Sequence, residues 1–186
     1  MSEPTFKKLA ESELTPDQLK VYRELMAGPR GGVRGPFNAL LRSPVLADRV
    51  QKLGEFLRFE SSIPARLNEF AILITARHWN AQYEWFAHYP HALKGGLKAE
   101  IAADVAQGKR PSNMQEDEAI VYDFCTELHK DKVVSDKTLQ AAFAKLGERG
   151  VVDLIGVTGY YTLVSMILNV DKQPLPAGTP LPLPEL

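Results

Sequence analysis

The chain has 186 residues, of which 45% are hydrophobic and 24% charged, with a formal net charge of −1. That length supports one substantial helical core, and the composition argues against disorder. The near-neutral charge offers no global basic surface, so neither nucleic acid nor an anionic membrane is expected as a partner.

No stretch matches the roughly 20 consecutive apolar residues that span a bilayer. The longest candidate, Val151 to Val170, is interrupted by Asp153, by glycine and threonine, and by Tyr160-Tyr161, and reads as a core helix. Met1 to Ser12 is polar and lacks the apolar centre of a signal peptide, so a cytoplasmic location is expected. The single cysteine, Cys125, cannot form an intrachain disulfide or a dithiol cycle. Flanked by Phe124 and Leu128, it reads as a small core residue.

In chain order, Thr15-Pro16-Asp17 opens a first helix that runs to about Ala27, with Leu19, Tyr22, Leu25 and Met26 on one stripe. Gly28 to Gly35 (GPRGGVRG) is a cationic loop without the Gly-Lys-Ser/Thr ending of a phosphate loop. Ser43-Pro44 opens a helix through about Glu60, with Leu46, Val50, Leu53, Phe56 and Leu57 expected to face inward. Ser62-Ile63-Pro64 opens the next, apolar almost all round, the mark of a central helix.

A helix from about Ala81 is expected to be disturbed at Pro90 and to end at Gly95-Gly96. Helices follow at about Lys98–Gln107 and Gln115–Lys130, from a Ser135 cap to about Leu146, and over about Gly150–Val170. The segment from Asp171 to Leu186 holds five prolines in sixteen residues, so it should be extended and available to a neighbouring subunit. No segment shows period-two alternation. The expected fold class is all-α, with about eight or nine helices, a helical extension over 1–36, a core over about 37–170 and a proline-rich tail over 171–186.

Chemistry concentrates between Glu69 and His91. Glu69 stands among Phe70, Ile72, Leu73 and Ile74, and a carboxylate buried there needs a partner. Glu84 and His88 are four residues apart and share a helix face, with Tyr83 beside them and Trp85 as apolar walling. A turn at Trp79-Asn80 would fold the two helices antiparallel and bring Glu69 toward His88. Two carboxylates and an imidazole would then form a proton-transfer site, with the carboxylates expected to favour the charged imidazole. The same spacing also fits an ordinary surface Glu84–His88 pair. Glu84, His88 and His91 lie at i, i+4 and i+7, but Pro90 interrupts them and no fourth ligand is near, so no metal site is expected. His78 and His129 read as solvated or helix-capping.

The run from Glu69 through Ala-Arg-His-Trp-Asn-Ala-Gln-Tyr-Glu-Trp-Phe-Ala-His resembles the carboxymuconolactone decarboxylase family, as does Gly147-Glu148-Arg149-Gly150-Val151-Val152-Asp153-Leu154-Ile155 with Gly159-Tyr160-Tyr161 and Asn169. Together the two signatures span most of residues 37 to 170. The resemblance implies an AhpD-like helical fold assembled as a homotrimer or homohexamer, with sites near subunit contacts. Peroxidase relatives carry a Cys-x-x-Cys pair at positions matching Ala81 and Glu84 here, with the relay glutamate at Glu69 and histidine at His88. Without that pair, thiol peroxidase chemistry has no electron source.

Decarboxylase relatives look similar at Glu84 and His88 and remove carbon dioxide from a lactone diacid of aromatic-ring degradation. The resemblance thus implies a cofactor-free carboxy-lyase acting on a small carboxylate or lactone. His88 would be the proton donor, oriented by Glu84 or Glu69. Tyr83 and Trp85 would wall the substrate, and Arg34, Arg42 and Arg77 are candidate carboxylate clamps. A non-catalytic oligomeric binding protein that keeps the family pocket is the other reading.

Overall fold

The computed structural model describes residues 3–29 and 31–185, and within them it is all-helical, with eight α-helices and no strand. Arg30, part of the glycine-rich loop, lies outside the described residues. The helices are α1 (Pro16–Ala27), α2 (Phe37–Leu40), α3 (Pro44–Phe59), α4 (Ala65–His78), α5 (Gln82–Lys94), α6 (Ala99–Ala106), α7 (Glu116–Lys130) and α8 (Asp136–Asp171). A 3₁₀ turn at Glu11–Glu13 precedes them.

Thr15 caps α1 as its sequence foretells, its side chain accepting from the Gln18 amide while the Gln18 side chain returns to the Thr15 amide. Ser135 caps α8 through Thr138. Within α8, Gly147 has φ 71° and ψ 175°, which breaks the helical path between 136–146 and 148–171. A side chain adopts that conformation only under strain, so glycine marks the joint between the two helices expected from sequence.

The all-round apolar α4 is the hub. Leu67 through Ala76 are all buried on it, and α5, α6, α7 and α8 pack around it. The single acid in the apolar part of α8, Asp153, is accounted for by its partners. Its carboxylate accepts from the Ser62 amide (2.8 Å) and hydroxyl (2.7 Å), tying α8 to the α3–α4 turn. These bonds outweigh the desolvation and hold its pKa below the ordinary aspartate value.

Four local expectations are corrected. In α3 the buried face is Ala47, Val50, Gln51, Gly54 and Leu57, whereas Leu46 and Leu53 are about half exposed. Small and polar residues pack inward there, and hydrophobicity alone selects the neighbouring stripe. In α1, Met26 likewise faces out while Val21 and Leu25 are buried. Pro90 does not interrupt α5, which continues to Lys94. The proline-rich tail folds back on its own chain. Leu183 is buried in the core, and the Gln82 side-chain amide donates to the Leu183 carbonyl (2.9 Å) and accepts from its amide (3.0 Å).

At the other end, residues 5–7 form a strap. The Thr5 amide donates to the Asp171 carbonyl (2.8 Å), the Phe6 amide donates to the Asp171 carboxylate (2.8 Å), and Asn38 donates to the Phe6 carbonyl (2.7 Å).

Candidate active site

The α4–α5 hairpin turns at Trp79-Asn80, with Asn80 in the left-handed region at φ 47°. Asparagine tolerates that conformation better than most residues. The reversal lays α5 along α4 and brings Glu69 to the His88 ring, where Nδ1 lies 2.7 Å from Glu69 Oε2. On the other side of the ring, Nε2 lies 3.6 Å from Glu84 Oε1, close but beyond hydrogen-bond length. All three side chains are buried. From α8, Tyr161 sets its ring edge-on to His88, with centroids 4.9 Å apart. Glu84, His88, Tyr161 and Tyr83 line one cleft of about 60 Å³.

Burial governs the protonation of this group. Desolvation pushes Glu84 well above the usual carboxylate range, and the nearby Glu69 charge pushes it further. Arg58 opposes both from α3 without overcoming them, as does the Ser165 hydroxyl, which lies near Glu84 but outside hydrogen-bond geometry. Desolvation also lowers the pKa of His88, and it outweighs the stabilising bond and charge of Glu69. The expectation that the carboxylates would keep the imidazole charged is therefore corrected, because the low-dielectric surroundings win. The Tyr161 phenol is pushed well above its ordinary value, again by burial first. Burial thus favours the protonated form of Glu84 and the neutral forms of His88 and Tyr161. The bond to Glu69 assigns the imidazole proton to Nδ1 and leaves the Nε2 lone pair facing the Glu84 side of the ring.

The other candidates disperse. Tyr83 forms a wall shared between the cleft and a groove of about 690 Å³ beneath the strap. Arg34 is exposed in that groove, and its charge is felt by Tyr83. Gly35, at φ 56°, is pressed on Tyr83 so closely that a Cβ would lie 3.1 Å from the ring. Arg42 is turned toward the strap, donating to the Asn38 and Lys7 carbonyls with its guanidinium 5.6 Å from the centre of the Phe6 ring. Arg77 donates to Asn80 Oδ1 and to the Pro184 carbonyl, both at 3.0 Å, anchoring the tail. Trp85 stacks on Tyr89 and lines a separate cleft with Phe86 and Pro182.

Two residues near the site were not among the sequence candidates. Arg58 continues the inward stripe of α3 through Ala47, Gln51 and Gly54, and that spacing was its available signal. Tyr161 lies on the buried stripe of α8 with Leu154, Val157 and Leu168, where it reads as wall. His91 is exposed, and among the described residues no group of three or more His, Cys, Asp or Glu side chains is arranged to hold a metal ion. Cys125 is fully buried, and desolvation pushes its thiol up to about 12, which suppresses the nucleophilic thiolate.

His129, expected to be solvated or capping, is buried instead. It lies 3.0 Å from the Thr75 hydroxyl, which itself donates to the Ala71 carbonyl (2.9 Å), so Nε2 of His129 is the donor between them. The ring stacks on His78 at 4.4 Å. Burial, aided by the charges of His78 and Lys132, lowers its pKa to about 4. The unfolded state therefore binds more protons than the folded state between the ordinary histidine value and about 4, and stability falls as pH drops through that window. We expect wild type to lose about 2 kcal/mol more than His129→Gln between pH 6.5 and 4, a figure reduced for the ring's partial access to solvent. Urea melts of both proteins across that range check this, and equal losses would remove His129 as the cause.

Neither the scan against protein-family models nor the search of curated proteins finds a match to this chain.

Proposed function

We propose that the chain is a cysteine-independent acid–base enzyme acting on a small carboxylated or lactone metabolite, with decarboxylation of γ-carboxymuconolactone as the leading reaction. The observation that carries this reading is the buried Glu69–His88–Glu84 arrangement, in which His88 and Glu84 line one cleft. Glu69 orients the imidazole, and the free Nε2 exchanges protons with the substrate. The protonated form of Glu84, which burial favours, spares an anionic substrate a second buried negative charge beside Glu69. The substrate specified is the one implied by the sequence resemblance to carboxymuconolactone decarboxylases. The same resemblance supports assembly as a homotrimer or homohexamer, and the exposed Val152, Ile155, Met166 and Val170 along α8 supply an apolar face for it.

The neutral His88 favours a second reaction class at the same site, proton abstraction beside a carbonyl, because a base must be unprotonated to act. Deuterium incorporation into a γ-lactone in D2O, followed by NMR, reports that class. The leading reaction is tested by ultraviolet absorbance with γ-carboxymuconolactone, comparing wild type with His88→Ala and Glu84→Gln. Turnover by wild type and its loss in both variants, with circular dichroism unchanged, is the expected result. No turnover by wild type would remove this substrate. Ligand binding that survives His88→Ala, with no turnover of any lactone, would make the chain a binding protein.

A further inference from the structure

Several buried polar atoms near His88 have no hydrogen-bond partner, among them Glu84 Oε2 and the Tyr161 hydroxyl. Leaving such groups unpaired costs on the order of 1–3 kcal/mol each, and folded proteins rarely tolerate it without a reason. Both side chains line the same cleft, one from α5 and one from α8. The Tyr161 hydroxyl brings a hydrogen not committed to any protein acceptor, and burial favours the form of Glu84 that carries one. The groups facing them are Arg58 from α3, Glu69 from α4, His88 from α5, and Tyr160 and Ser165 from α8. Of these, Glu69 is engaged by His88, and Arg58 contributes positive charge from the rear.

We propose that Tyr161 and Glu84 together form a two-donor seat for a single oxyanion, so that the substrate is one whose reacting carbon is conjugated to a carbonyl and passes through an enolate. This rests on the acid–base reading above and narrows its substrate class. In a decarboxylation the C–C bond to the leaving carboxylate breaks, its electron pair moves through the conjugated system onto the carbonyl oxygen, and carbon dioxide departs. His88 Nε2, having taken up a proton from solvent, then delivers it to carbon, and the carbonyl re-forms. Neutral donors aimed at the oxygen stabilise the charge where it develops, and burial strengthens them. A phenol beside a carboxylic acid kept neutral by an apolar site is an established way to build such a seat. The cleft's volume of about 60 Å³ admits the oxygen end of a ligand, while the rest projects past Tyr83.

The test is a visible-absorbance titration of wild type with 4-nitrophenol, a phenolate that mimics the enolate oxygen, alongside 4-nitrobenzoate as a carboxylate of similar size. We expect 4-nitrophenolate to bind with a shifted band and more tightly than 4-nitrobenzoate. Tyr161→Phe and Glu84→Leu should each weaken it about tenfold or more. Glu84→Gln, which keeps a donor, should retain most of the affinity and remove its loss at high pH. Tyr161→Phe deletes an unpartnered hydroxyl, so it should melt no lower than wild type, which separates a binding defect from a folding one. Equal 4-nitrophenolate affinity in wild type and Tyr161→Phe would overturn the proposal, as would benzoate binding as tightly as phenolate. Phenolate binding through Tyr161 in a protein that fails to turn over γ-carboxymuconolactone upholds the seat and removes only that substrate. Turnover that is unaffected by Tyr161→Phe does the reverse.

Discussion

Replacing Glu69 with glutamine is expected to lower turnover by about a thousandfold, within the span of roughly 10²–10⁴ seen when a catalytic histidine loses its proton-transfer role or its orienting carboxylate. The cause is the imidazole tautomer. The Glu69 carboxylate accepts from Nδ1 and thereby leaves the Nε2 lone pair free. A glutamine can present its amide N–H to Nδ1 instead, moving the ring proton to Nε2 and filling the lone pair through which His88 takes up the proton it transfers. His88→Ala should cost at least as much.

The two variants separate through pH. Glu69 raises the pKa of His88 against the dominant desolvation. Its loss therefore moves the limb of the pH profile that His88 sets to lower pH in Glu69→Gln, and His88→Ala abolishes that limb. KM should change less than kcat, because Glu69 acts through His88 and is a positioning residue. A Glu69→Gln enzyme with full activity and an unmoved limb would show that another group titrates.

Arg66→Leu is expected to destabilise the fold by about 3–5 kcal/mol, the cost of stranding a buried charge. Arg66, in the first turn of α4, donates to Glu118 and, at 2.7 Å, to Asp117, both in the first turn of α7. Glu118 is fully buried, and its second oxygen accepts from the Gln115 amide at 2.7 Å. Removing the guanidinium leaves Glu118 without a countercharge, whereas Asp117 can still reach water. For a chain of this size the melting temperature should fall by about 10 °C. Arg66→Leu combined with Glu118→Leu should recover most of the loss, short of about 1 kcal/mol for the missing cap. Thermal denaturation of the single and double variants checks both numbers, and a double variant no better than the single would show that the stranded charge is not the cause.

Strong local patterns were legible in the sequence. The all-round apolarity of residues 67–76 identified the hub, and the Ser135 cap and the apolar run over about Gly150–Val170 gave the two halves of α8. The turn at Trp79-Asn80 placed Glu69 beside His88, because antiparallel helices of known pitch leave few pairings. What depended on a third element was hidden. Whether the imidazole is charged turns on how completely α8 excludes water, and no spacing within α5 carries that information. The arginines were chosen because a guanidinium can clamp a carboxylate, yet Arg42 and Arg77 hold the two chain ends, while Arg58 reaches the site from a stripe too polar and small to look buried.

The strap and tail also bear on the order in which the molecule assembles. The Thr5 hydroxyl meets the Val170 carbonyl across 165 positions of chain, and Gln82 meets Leu183 across 101. Helical hairpins such as α4–α5 close short loops and form early, whereas contacts of such separation must wait until intervening helices have collapsed. Gln82 directly precedes Tyr83 and Glu84, and Asp171, which anchors the strap, follows the Leu168 that lines the cleft. The segments beside the cleft-lining residues are thus tied down by some of the most distant pairings in the chain, so a protein with its helices already formed and its core already dry would still lack these ties next to the site.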